Sequence, residues 1–149
     1  QSNSIHRQNG KVRIHLHAVR HGIPVSAMMT FTEVGKTMMG NSVQDFVEGM
    51  REFPLTAVGL NCSLGPERAV PVIAAFRQYT DLPLMFKPNA GKPISQGDGT
   101  TVEYTADIFV EDSLPALDAD VTYIGGCCGS DASYIRALRG RLRRLGYGV

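Results

Sequence analysis

The sequence predicts an α/β domain of four successive strand–helix units with every strand parallel. Three observations lead there. Short apolar runs of strand length each end in turn residues, and longer amphipathic stretches separate them. A chain of 149 residues that is 43% hydrophobic has enough apolar matter for a real core. Each helix must carry the chain back to begin the next strand, which makes the sheet parallel. Two architectures fit: a (βα)4 half of a TIM-type (βα)8 barrel, whose full length is about twice this, or a small doubly wound flavodoxin-like sheet. Length alone favours the doubly wound sheet, and periodicity does not separate the two.

The elements follow in order. Val12, Leu16 and Val19 recur at helical spacing between His6 and His21, and Gly22 supplies a stop. Residues Ile23 to Phe31 form the first strand, and Ser42 caps a helix running to about Glu52. Ala57 to Asn61 is the second strand. Its helix starts at Pro66-Glu67 and reaches about Tyr79, with Pro71 expected to kink it or delay its start. Leu84 to Lys87 is the third strand, followed by a long glycine-bearing loop and a weak helix from Thr105 to about Leu114. Ser113 to Leu117 interrupts that helix. Val121 to Ile124 is the fourth strand. Ser130 is expected to cap a last helix with Ile135, Leu138, Leu142 and Leu145 as its apolar stripe. The arginines at 136, 139, 141, 143 and 144 are most simply the solvated face of that helix.

Charge and composition exclude several functions. Fifteen Lys and Arg against fourteen Asp and Glu leave a formal charge of +1, so no overall field points to nucleic acid or a membrane surface. No apolar run is long enough to span a bilayer. The start lacks a signal-peptide plan, and a cytoplasmic location is expected. Gln1-Ser2-Asn3 has the look of an expression-tag remnant, which leaves residues 4 to 149 as one domain. Three cysteines, two of them adjacent, fit poorly with a disulfide framework. The thiols are expected to be reduced, and either buried or bound to metal.

Chemistry should gather at the C-terminal ends of the strands. Cys62 directly follows the second strand, and Cys127-Cys128 follow the fourth, so all three thiols fall at one end of the sheet. Three thiolates with one open position suit zinc and a soft fourth ligand such as a substrate sulfur. For Cys127 and Cys128 to face one ion the backbone must bend, and Gly125, Gly126 and Gly129 permit it. Cysteines at strand ends also serve as inert core, and no close CxxC pair is present. Thr30, Asn61 and Asn89 end strands where a ligand can be met, although such residues commonly just cap loops. Met28, Met29, Met38 and Met39 are more simply core than pocket, and His17 and His21, at metal-pair spacing, more simply surface.

These residues resemble a known family. Gly59-Leu60-Asn61-Cys62-Ser63, Lys87-Pro88-Asn89-Ala90-Gly91 and Ile124-Gly125-Gly126-Cys127-Cys128-Gly129 stand in the order seen in homocysteine S-methyltransferase domains. Met29-Thr30-Phe31 and the helix Tyr134 to Leu138 also look like that family, so the resemblance runs from about Ala18 to Leu142. It implies the last four strands of a βα barrel, with Zn2+ held by Cys62, Cys127 and Cys128 and homocysteine as substrate. Its thiol would take a methyl group and become methionine, with Asn61 and Asn89 shaping the pocket. The donor, with a slight lean to methylcobalamin, would come from outside this chain. The family's first barrel half has no counterpart here, so a missing N-terminal half or self-association as a dimer is expected to close the barrel.

Overall fold

The computed structural model describes residues 21–90, 94–95, 101–102 and 104–148. The helix expected from His6 to His21 lies outside these residues except at its end, where His21 is exposed. Four strands form one sheet: β1 (Ser26–Met29), β2 (Ala57–Asn61), β3 (Leu84–Lys87) and β6 (Val121–Ile124). Between β3 and β6 a two-stranded antiparallel pair joins β4 (Ile94–Ser95) to β5 (Thr101–Val102). The helices are α1 (Val43–Met50), α2 (Pro66–Phe76), α3 (Ala106–Ser113) and α4 (Ala132–Arg144), and a 3-10 turn covers Leu114–Ala119.

The order β1-β2-β3-β6 is parallel throughout and follows the chain. A doubly wound sheet must reverse its strand order, and this one does not. The helices touch one another in chain order, α1 on α2, α2 on α3 and α3 on α4. The architecture is thus a half-barrel of four βα units, and the flavodoxin-like alternative is set aside. Among the described residues β1 and β6 each have one unpaired edge.

Alternation along the strands decides what each face meets. Val58, Leu60, Leu84 and Phe86 are buried under the helices together with Val72, Ile73 and Phe76. Phe31, Phe46 and Phe76 meet edge-to-face at 5.8–6.2 Å, which ties the end of β1 to α1 and α2. A second cluster, Phe109, Val110, Leu138 and Leu142, packs α3 on α4. On the opposite face, Met28, Gly59, Met85 and Tyr123 stand in register across all four strands. A β-carbon at Gly59 would run into the backbone of Met85, so only glycine lets β2 and β3 approach there. Tyr123 is 45% exposed, because the face that a closed barrel would turn inward is uncovered here.

Several elements differ from the sequence expectation. The first strand is shorter than Ile23–Phe31, and Met38 and Met39 project into solvent rather than filling core or pocket. Pro71 neither ends nor delays α2. Its ring lies on the exposed side, and the helix runs on to Phe76 rather than Tyr79. The interruption at Ser113–Leu117 is a tightening into the 3-10 turn, with Ser113 Oγ donating to the Phe109 carbonyl. Asp131, not Ser130, caps α4, accepting from the Ser133 amide at 2.6 Å. Of the expected stripe only Leu138 and Leu142 are buried, while Ile135 and Leu145 are 43% and 46% exposed. The arginines behave as expected: Arg136, Arg139, Arg143 and Arg144 are exposed, and Arg141 pairs with Glu111 at 2.9 Å. No helix among the described residues is long and apolar enough to cross a membrane.

Candidate metal centre

Strand geometry sets the position of each cysteine. β2 ends at Asn61, and the chain then turns through two left-handed residues, Cys62 (φ 59°) and Ser63 (φ 65°). Non-glycine residues rarely adopt this conformation, so the surroundings must hold it. They do so through the Cys62 amide, which donates to the Lys87 carbonyl at 3.1 Å, and the Leu64 amide, which donates to the Cys62 carbonyl at 2.8 Å. After β6 the chain turns through Gly125-Gly126-Cys127-Cys128-Gly129. Of the three glycines only Gly129 has positive φ (79°), so the bend is not spread over all three as the sequence suggested. Gly126 is needed for room instead: a β-carbon there would collide with the Ser130 hydroxyl. That hydroxyl donates to the Cys127 carbonyl at 2.6 Å and closes the turn.

The segment after β3 braces both cysteine loops. The Asn89 amide donates to the Leu64 carbonyl at 2.8 Å on one side. On the other, the Pro88 carbonyl accepts from the Cys127 amide at 2.8 Å, and the Ala90 amide donates to the Cys128 carbonyl at 2.9 Å. This brace is what the sequence reading missed. Its only signal was the Pro88-Asn89-Ala90 motif itself, because the bonds cross strands that a linear reading cannot align.

The sulfurs of Cys62, Cys127 and Cys128 therefore lie within 4.8 Å of one another and could hold a metal ion. Cys62 Sγ and Cys128 Sγ are 3.9 Å apart. Four-coordinate zinc with thiolates at about 2.3 Å spaces its sulfurs by roughly 3.8 Å, so this edge fits such an ion. The sulfurs of Cys62 and Cys127, on Cα atoms 5.5 Å apart, are in direct contact, and Cys128 is exposed. Ligation of a metal would take all three as thiolates.

The remaining candidates take different places. Asn61 Nδ2 donates to Cys62 Sγ at 3.3 Å. Asn89 Oδ1 is buried and accepts no hydrogen bond among the described residues. A buried carbonyl oxygen left in that state calls for a donor or a cation. Thr30 is exposed beyond the edge strand β1 and takes part in none of the bonds that build the cysteine loops. The helices α2 and α4 both start just after cysteine loops.

Half of a βα barrel with three cysteines converging at the C-terminal strand ends defines a class of candidate metal-dependent catalytic domains. A family model for homocysteine S-methyltransferase matches residues 5–142, and the chain belongs to that family. The methionine synthase of Mycobacterium tuberculosis is 28% identical over 129 residues, which is 85% of this chain and 11% of that protein. The methionine synthase of Mycobacterium leprae is 26% identical over 94% of this chain and 12% of its own length. Among solved structures, the metallated form of the homocysteine methyltransferase MmuM from Escherichia coli superposes with a TM-score of 0.63 at 22% identity. That match covers 86% of this chain and 39% of the other, and it is a likeness of fold. The chain thus spans about one eighth of the methionine synthases and two fifths of the solved enzyme.

Proposed function

We propose that this chain is the zinc-bearing half of a barrel that transfers a methyl group to the thiol of homocysteine, giving methionine. The observation that carries the proposal is the convergence of Cys62, Cys127 and Cys128 from two strand ends to within 4.8 Å. Family membership supplies the substrate class. Zinc, when bound, would supply the charge that favours the thiolate form of the substrate at neutral pH and a fixed point for its sulfur. The chain's own residues do the rest. Cys62, Cys127 and Cys128 hold the ion, and the Asn61 amide orients the Cys62 sulfur. The Pro88–Ala90 brace keeps the two loops in register. Asn89 and Thr30 are assigned to the pocket wall, where Asn89 offers its unused carbonyl oxygen.

In the reaction the substrate thiol loses its proton, and its sulfur forms a bond to the methyl carbon as the donor–methyl bond breaks. The bonding electron pair leaves with the donor. The donor, which we take to be methylcobalamin, comes from outside this chain. The other barrel half, from a preceding segment or a second copy, covers the open sheet face. Free thiolates require a reducing compartment, consistent with the cytoplasm.

A spectroscopic titration tests the reading. With Co2+ in place of zinc in the reduced chain, homocysteine should intensify the sulfur-to-metal charge-transfer absorption, and Cys128→Ser should abolish the response. An unchanged spectrum would remove homocysteine as the ligand. A second reading is a non-catalytic module in which the contact of Cys62 and Cys127 is structural. That reading expects no metal uptake by the reduced wild type, and Cys127→Ser should then change stability alone.

A further inference from the structure

The helices form a layer in chain order, so among the described residues α1 and α4 are its two ends. These end helices carry opposite charge. On α4, Arg136, Arg139 and Arg143 are exposed at i, i+3 and i+7, one face of a helix, and the helix holds no carboxylate. On α1, Asp45 and Glu48 are exposed at the same spacing, and Glu52, in the turn after Arg51, completes the set. Each face has a glycine at its i+4 position, Gly140 on α4 and Gly49 on α1. Two intervening helices keep the stripes apart within one copy.

Neither stripe is accounted for by its own helix. The dipole of α4 favours cations in its last turn, which Arg136 and Arg139 do not reach. Like charges one turn apart, as at Arg139 and Arg143, oppose the helix. Arg136 and Arg139 have no ion pair among the described residues, and neither have Glu48 and Glu52. The glycines are not demanded by packing either. A β-carbon at Gly49 would meet nothing within 4 Å, and one at Gly140 only Arg144 Nη1, at an ordinary 3.6 Å. Glycine inside a helix is destabilising relative to alanine, yet here it leaves a notch in the middle of each stripe.

We propose that α4 of one copy of this chain lies along α1 of a second copy, arginine stripe against acidic stripe, and that two-fold pairing makes the contact twice. With the helices parallel, as a βα layer continued from copy to copy requires, Arg136 meets Asp45, Arg139 meets Glu48 and Arg143 meets Glu52. Glycine then falls opposite glycine, and the two backbones can approach. A long polyanion such as nucleic acid suits the stripe less well. The formal charge of +1, less the five arginines of α4, leaves −4 on the rest of the chain, which repels a polyanion beyond the stripe. A second copy brings carboxylates at the matching spacing and no excess. The uncovered sheet face supplies apolar area to such a pair, and the stripes decide orientation and partner. No residue of either stripe belongs to the cysteine site, so the proposal stands or falls apart from the methyltransferase reading.

A charge swap tests it by sedimentation of the reduced full chain. One variant carries Arg136→Glu with Arg139→Glu, and the other carries Glu48→Arg with Glu52→Arg. Each alone sets like charges against each other and should self-associate about tenfold or more weakly than wild type. Mixed in equal amounts they should recover the association, because both contacts regain opposite charges. Wild-type association should also weaken as salt rises from about 0.05 M to about 0.5 M. Circular dichroism checks the fold of each variant, and Arg136→Gln with Arg139→Gln, a milder change, should weaken association to an intermediate degree. A wild type that stays monomeric overturns the proposal. So does undiminished self-association of the reversed variants, which would leave the sheet face alone holding the copies together. Folded variants that fail to recover on mixing overturn it as well and assign the arginines to a different anionic partner.

Discussion

At the scale of single residues, cysteines at strand ends were legible because a parallel βα sheet gathers its strand ends on one side. The left-handed turn at Cys62-Ser63 and the brace at Pro88–Ala90 were not. Each depends on which residues face one another across strands, and that register is absent from the linear order. Tyr104 is another such case. Its hydroxyl donates to Asp112 at 2.6 Å, and its carbonyl accepts from the Tyr134 hydroxyl at 2.6 Å. Burial first, and then the bond to Asp112, push the Tyr104 phenol well above its ordinary value. The folded chain therefore holds this proton more tightly than the unfolded chain, which releases it above about pH 10. The stabilisation is complete below that pH and is lost as the pH rises beyond it. Urea midpoints measured on either side of about pH 10 should fall less steeply in Tyr104→Phe than in wild type.

At the scale of elements, β2, β3 and β6 have the bounds that apolar runs and flanking turn residues imply. The α1 cap is equally plain: Ser42 and Asp45 exchange backbone and side-chain bonds in a capping box. The cap of α4 was misread because Ser130 and Asp131 are both good caps. Ser130 is already committed to the Cys127 carbonyl, which leaves Asp131 to the helix. At the far end of the sheet Arg77, just past α2, gathers four carbonyls: Ala119, Thr80, Leu82 and Asp120, at 2.7–3.3 Å. Its fan of donors joins α2 to the entries of β3 and β6, a role that lysine cannot fill. Arg77→Ala should cost about 2 kcal/mol by stranding those acceptors, and Arg77→Lys should recover only part of it. Chemical denaturation of the three proteins measures both.

At the scale of the whole molecule, family membership and chain-ordered topology agree on half a barrel. The open edges of β1 and β6 and the row Met28, Gly59, Met85 and Tyr123 mark the surface that a complete barrel would enclose. Exposed apolar sheet with unpaired edges associates readily. The chain in isolation should therefore sediment as a dimer or larger, and Tyr123→Asp should shift it toward monomer. A monodisperse wild-type monomer would mean that the face is tolerated open. Sequence could not foresee how exposed it is, because β6 reads like any other buried strand.

The central claim is that distant strand ends build one metal site. It is tested most directly by zinc content per chain, measured by elemental analysis on reduced wild type and on Cys62→Ser. About one zinc per wild-type chain is expected, with most of it lost in the variant, because Cys62 lies on a different strand end from Cys127 and Cys128. No zinc in either protein, or full zinc in Cys62→Ser, would contradict the account.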